Sequence, residues 1–147
     1  MAATRRAEVA WSGPLSTGSG TVTAVTSGTF SDLPVSWTAR TEAAGGKTSP
    51  EELLAGAHAA CFAMAFSGNL VRADHPPESL DVAAEVTFDK VEAGWRVVSS
   101  ALTVRGKVPG ISVEDFNEAA EKTRTGCPIS QALIGNVEIT LEATLEA

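Results

Sequence analysis

Two cysteines, Cys61 and Cys127, carry the richest chemistry in this 147-residue chain, and they stand in different local settings. Cys61 sits in the middle of an uncharged run from Leu53 to Phe66. Burial of that kind raises a thiol's pKa and leaves it inert unless a cation is brought close. Cys127 lies between Gly126 and Pro128, where proline at a first helical position makes the cysteine an N-cap. A thiolate there is favoured by unpaired backbone N–H groups, so local logic makes Cys127 the more acidic thiol. Each also has a plain structural reading, Cys61 as a core residue and Cys127 as a cap. His58 precedes Cys61 by three residues, on one helix face, which permits a Cys–His nucleophile pair or half of a Cys/His metal site. His58, His75, Cys61 and Cys127 are the only soft ligands, and only His58 and Cys61 are closely spaced, so no metal is expected. A histidine on an apolar helix is more often a satisfied core residue.

Acids and a base complete the set of candidates. Glu51 and Glu52 fall in the first turn of the helix that carries Cys61, where carboxylates interact well with the helix dipole. Glu52 belongs to a capping box with Ser49, which leaves Glu51 for other work. Ten residues at helical rise put Glu51 about 15 Å from Cys61 along the axis, so a meeting requires the partner subunit or a long Arg that bridges the gap. Arg40 is expected on the polar face of a short strand, with Val35, Trp37 and Ala39 on the other face.

The elements that must position these residues are legible from period and punctuation. Ser49, Pro50 and Glu52 start a helix, which runs to about Arg72 before Pro76 and Pro77 stop the chain's helical course. Its apolar and small residues cover every face, the pattern of a helix buried all round. A chain this short encloses such a helix more easily with a second copy, so burial alone implies a homodimer. Strands are expected over Arg5–Trp11 and Thr21–Thr26, over Leu80–Asp89 and Trp95–Val104, and over Val137–Leu145. Ser112 caps a helix through about Arg124, with Val113, Phe116, Ala119 and Ala120 inward, and a short helix spans Ile129 to about Ile134. Strands, buried helix, strands, helices and a last strand make an α+β protein with mostly antiparallel sheets around a long central helix.

Composition narrows the function. The length suits one domain over residues 1–147 with a real core. A formal charge of −7 and a pI near 4.8, with no basic cluster, argue against nucleic acid or an anionic membrane as partner. No apolar signal core follows Met1–Arg6, and the uncharged helical run is shorter than the roughly 20 residues of a membrane span. A soluble cytoplasmic protein is the expectation. No CxxC motif is present, so the two thiols are either inert core or chemistry.

The run Gly46-Lys47-Thr48-Ser49-Pro50-Glu51-Glu52-Leu53-Leu54 leads into Ala57-His58-Ala59-Ala60-Cys61-Phe62, followed by Val108-Pro109-Gly110-Ile111 and Gly126-Cys127-Pro128-Ile129-Ser130-Gln131-Ala132-Leu133. Together these resemble the OsmC/Ohr family of thiol peroxidases, from about Arg6 to the last strand. The resemblance implies an intertwined α+β homodimer that reduces organic hydroperoxides, and hydrogen peroxide less well, in oxidative and osmotic stress defence. It implies Cys61 as the peroxidatic thiolate, Cys127 as the resolving thiol, and Arg40 as the cation that lowers the Cys61 pKa and polarises the peroxide. Glu51 would hold the guanidinium by a bidentate pair. Arg40, in Trp37-Thr38-Ala39-Arg40, matches the arginine of the OsmC branch, whereas the Ohr branch places its arginine nearer the N-terminus. Ser49 stands where the family usually has Asn, and Thr41 where an aromatic commonly follows the arginine. No cofactor is implied beyond an external dithiol or lipoylated-protein reductant.

Two other readings use the same residues. A non-catalytic redox sensor or small-molecule binder would employ the thiol pair as a switch, and a Cys–His hydrolase would depend on His58.

Overall fold

The structure, a computed structural model, describes every residue from Met1 to Ala147 and divides into two compact units, Met1–Leu53 and Leu54–Ala147. In the first unit, β1 (Ala7–Ser12), β2 (Ser19–Ala24) and β3 (Leu33–Val35) form an antiparallel sheet in that order. Val9 pairs with Val22 and Trp11 with Gly20, a register that starts β2 two residues before the expected Thr21. β1 is exposed along its length, Val9 and Trp11 included.

The expected strand through Arg40 is not one. After β3 the chain enters a short helix, α1 (Trp37–Thr41), with Arg40 in its last turn. Ser36 decides this: its hydroxyl accepts from the Ala39 N–H at 3.2 Å while its carbonyl accepts from the Arg40 N–H at 3.1 Å. An N-cap of this kind satisfies donors that an edge strand would leave to solvent, and it overrides a three-residue alternation. Thr48 then forms a parallel bridge with Val35 and leads into α2 (Pro50–Arg72). The Glu52 N–H donates to the Ser49 hydroxyl at 3.1 Å, the first half of the expected capping box. The second half differs, because the Glu52 carboxylate accepts from the Thr48 hydroxyl at 2.7 Å.

From Leu54 onward α2 belongs to the second unit. There β4 (Ser79–Val91) pairs antiparallel with β5 (Gly94–Lys107), and β5 pairs in parallel with β6 (Glu138–Leu145). The parallel pair needs a crossover, supplied by α3 (Val113–Gly126) and α4 (Pro128–Leu133). Phe62, Phe66 and Leu70 of α2 are fully buried with Leu102 and Val104 of β5 and Phe116 of α3. The Phe66 and Phe116 rings meet edge to face, centroids 5.2 Å apart. Gly106 makes room for this: a Cβ there would stand 2.9 Å from both the Phe116 ring and the Leu80 side chain.

One inward expectation differs from the structure. Val113 is exposed, because it opens α3 ahead of the turn that faces the core, while Thr123 is buried with Phe116 and Ala120. α2 is not buried all round within one chain. By length and composition it could cross a membrane, yet its Phe62, Phe66 and Leu70 face packs into the core and its opposite face leaves Met64 75% and Val71 55% exposed.

Candidate active site

Cys61 reaches the site from the middle of α2, and Cys127 from the junction where α3 ends and α4 begins. At that junction one residue closes both helices. The Cys127 N–H donates to the Thr123 carbonyl at 3.0 Å, and its carbonyl accepts from the Gln131 N–H at 3.0 Å. Its sulfur accepts from the Ser130 N–H at 3.4 Å, the expected cap. The two cysteines are free thiols with sulfurs 3.4 Å apart. An S–S bond is about 2.05 Å long, so side-chain rotation over little more than an ångström would close it.

The two sulfurs differ in acidity and access. Burial pushes the Cys61 thiol up; the Ile129 backbone N–H opposes this, and the neighbouring Cys127 adds to it. Burial also acts upward on Cys127, but the Ser130 hydroxyl and N–H, the Cys61 thiol and the Ile129 N–H outweigh it and leave that thiol below its ordinary value. Cys127 is therefore the more acidic sulfur, as its cap position implied. Cys61 is the more accessible, half-buried where Cys127 has no exposed surface.

His58 and its neighbours form a polar thread through this core. Its Nδ1 lies 2.7 Å from the Ser100 hydroxyl and its Nε2 2.8 Å from the Ser130 hydroxyl, all three side chains being fully buried. Burial lowers the His58 pKa, so the ring is neutral. Residue type and spacing alone single out neither Ser100 nor Ser130 for chemistry. A signal for Ser100 existed, since it occupies the core-facing register of β5 shared by Leu102 and Val104. No cluster of three or more His, Cys, Asp or Glu side chains with metal-holding geometry occurs.

In the N-terminal unit, Arg40 and Glu51 form a bidentate pair within one chain. Arg40 Nε donates to Glu51 Oε1 and Oε2 at 3.0 and 3.1 Å, and Nη2 donates to Oε1 at 2.7 Å. Glu51 is buried and Arg40 partly so. The planar fork and the carboxylate fix each other's orientation, which a lysine in place of Arg40 could not do. Beside the pair lies a cavity of about 330 Å³ whose wall includes Val9, Trp11, Leu15, Val22, Trp37 and Arg40. It is an apolar pocket with a guanidinium on its wall. The four candidate residues thus occur as two pairs, each formed within its own unit.

A family model described as OsmC-like protein matches residues 43–142. The chain belongs to the OsmC family. This OsmC-family chain is 40% identical over 143 residues to the protein named peroxiredoxin OsmC of Escherichia coli strain K12, covering 97% of both chains. It is 31% identical over 97 residues to the organic hydroperoxide resistance protein OhrA of Bacillus subtilis strain 168, covering 65% of this chain and 66% of that one. The crystal structure of the organic hydroperoxide resistance protein OhrB of Bacillus subtilis superposes with a TM-score of 0.74 at 26% identity, covering 95% of this chain and 98% of that one. The α+β architecture expected of an OsmC-family member, with its long central helix, is the one observed.

Proposed function

We propose that this OsmC-family protein is a thiol-dependent peroxidase that reduces organic hydroperoxides, and hydrogen peroxide less well, in oxidative and osmotic stress defence. The observation that carries the reading is the reduced Cys61–Cys127 pair, sulfurs 3.4 Å apart, in a chain 40% identical to a protein named as a peroxiredoxin. Acidity and access favour different sulfurs, and access decides: a peroxide can reach the half-buried Cys61 before the enclosed Cys127. Cys61 is the peroxidatic residue and Cys127 the resolving one.

In the first step the Cys61 thiolate attacks the distal peroxide oxygen. The O–O bond breaks, an alcohol leaves with one proton, and Cys61 becomes a sulfenic acid. The Cys127 thiolate then attacks the Cys61 sulfur, the S–O bond breaks and water leaves. An external dithiol, free or on a lipoylated protein, reduces the resulting disulfide by two exchanges, so no bound cofactor is needed. Because burial holds the Cys61 thiol up, the first step requires a cation. Arg40, oriented by Glu51, is that cation, and it also polarises the peroxide. The apolar cavity beside Arg40 suits an alkyl or aryl group better than hydrogen peroxide.

The working form is a homodimer in the cytoplasm, where free thiols persist between turnovers. Exposed Met64 and Val71 on α2, and exposed Val9, Trp11 and Leu15 in the N-terminal unit, are apolar surface for a second copy to cover. The deciding experiment has two stages. Stoichiometric cumene hydroperoxide followed by denaturing alkylation and intact mass should show loss of both thiols and two hydrogens per chain. Sustained consumption of cumene hydroperoxide with dithiothreitol should follow. A protein that reacts once and stops is a redox switch, and one whose thiols both survive is no peroxidase.

A further inference from the structure

Three buried polar side chains from three elements join in one hydrogen-bonded group whose last member, Ser130, touches the resolving thiol. His58 comes from α2, Ser100 from β5 and Ser130 from α4, and none has exposed surface. Burying an imidazole and two hydroxyls in a core otherwise built of Phe, Leu and Val carries a desolvation cost that an apolar residue in place of His58 would avoid. Here every polar atom is matched: Ser100 Oγ at 2.7 Å from Nδ1, Ser130 Oγ at 2.8 Å from Nε2, and no buried side-chain donor or acceptor left over. The residue whose hydroxyl His58 holds also caps the sulfur, since the Ser130 backbone N–H donates to Cys127 Sγ at 3.4 Å. A histidine serving only to fill the core has no need to end its network at a reacting atom.

We propose that His58 is a positioning residue for disulfide closure, which by holding Ser130 keeps the Ser130 backbone N–H on the Cys127 sulfur while Ser100 holds the imidazole. This rests on the peroxidase reading above. With the ring proton on Nδ1 and donated to Ser100, Nε2 is free to accept from the Ser130 hydroxyl. The ring so held fixes the Ser130 side chain, and with it the backbone N–H that meets Cys127 Sγ. As the Cys127 sulfur attacks Cys61, the S–S bond forms, the S–O bond of the sulfenic acid breaks, and the departing hydroxide takes up the proton that Cys127 gives up. The sum is one disulfide and one water from one sulfenic acid and one thiol. The Ser130 hydroxyl and N–H both favour the Cys127 thiolate, the form that attacks.

The test separates the positioning role from the peroxidase reading. In a Cys61→Ser background Cys127 is the only thiol, and its thiolate absorbance near 240 nm is titrated without any peroxide. Ser130→Ala should raise the midpoint by about one pH unit, and Ser130→Thr should bring it back. In the chain with both cysteines, stopped-flow addition of cumene hydroperoxide and trapping with a 1,3-dione compares sulfenic acid formation with closure. His58→Gln keeps polar atoms but loses the ring that spans Ser100 and Ser130, and it should slow closure at least about tenfold relative to the first step, with sulfenic acid accumulating. A midpoint unmoved by Ser130→Ala, or closure at the original rate in folded His58→Gln protein, overturns the positioning role. If His58→Gln does not fold, the Ser130 titrations decide alone. Thiols that survive peroxide while the midpoint still moves with Ser130 sink the peroxidase and leave the hold of Ser130 on Cys127 standing.

Discussion

The Cys127 and Cys61 sulfurs lie 3.4 Å apart although 66 positions separate the residues in the chain. Closing a disulfide over that loop would restrict the unfolded chain by about 4 kcal/mol in the chain-entropy account. The oxidised protein is therefore expected to unfold at higher urea than the reduced protein, the gain vanishing with dithiothreitol or in Cys127→Ser. Equal urea midpoints for the two redox states would show that strain in the native bridge cancels the entropy.

Arg40 and Glu51 act as one unit because three donor–acceptor contacts join them. Arg40→Lys keeps the charge and loses the fork, and Glu51→Gln keeps the shape and loses the anion. Each should lower kcat/KM for cumene hydroperoxide by about 100-fold or more, the scale of removing one preorganised charge-stabilising donor. The double variant should be little worse than either single one, as for residues acting through one group.

Gly106 lies where a Cβ would press on the Phe116 ring and Leu80 at 2.9 Å. Gly106→Val should cost about 1–3 kcal/mol of stability, read as a lower urea midpoint with an unchanged slope. Phe116→Leu in the same chain should recover part of the loss, since the ring is the group being displaced.

His58 makes stability depend on pH. Burial lowers its folded pKa below the ordinary 6.5, so the unfolded chain binds a proton that the folded chain refuses. The contribution is complete above pH 6.5 and is lost as pH falls through the folded pKa. Thermal midpoints of the reduced protein should fall below pH 6.5, and the part due to this residue should disappear in His58→Gln.

Met64 stands 75% exposed on α2 between residues whose other face is core. Light scattering is expected to give twice the chain mass, and Met64→Lys should shift the population toward monomer by placing a charge where apolar surface is covered. A monomer at all concentrations would remove the homodimer from the functional reading.

How much of this was legible beforehand follows from the range of the signals. Ser49, Pro50 and Glu52 announced α2, and Cys127 with Pro128 announced the cap of α4, because capping is decided within four residues of chain. The α3 start at Ser112 and the strand alternations around β4, β5 and β6 were readable for the same reason. Ser36 is the local signal that outweighs alternation: it makes Trp37–Thr41 a helix where a three-residue alternation suggests a strand.

Residue types and spacing alone determined the α+β class, the two thiols in unlike settings, and an apolar helix that asks for cover. Only the tertiary structure decided that Cys61 and Cys127 meet, that Arg40 and Glu51 pair within one chain, and that His58 is held between Ser100 and Ser130. Those meetings join distant parts of the chain through the packing of α2, α3, α4 and β5 and through the α1 turn. Side-chain packing in three dimensions has no period along the sequence, so no window of residues could have contained them.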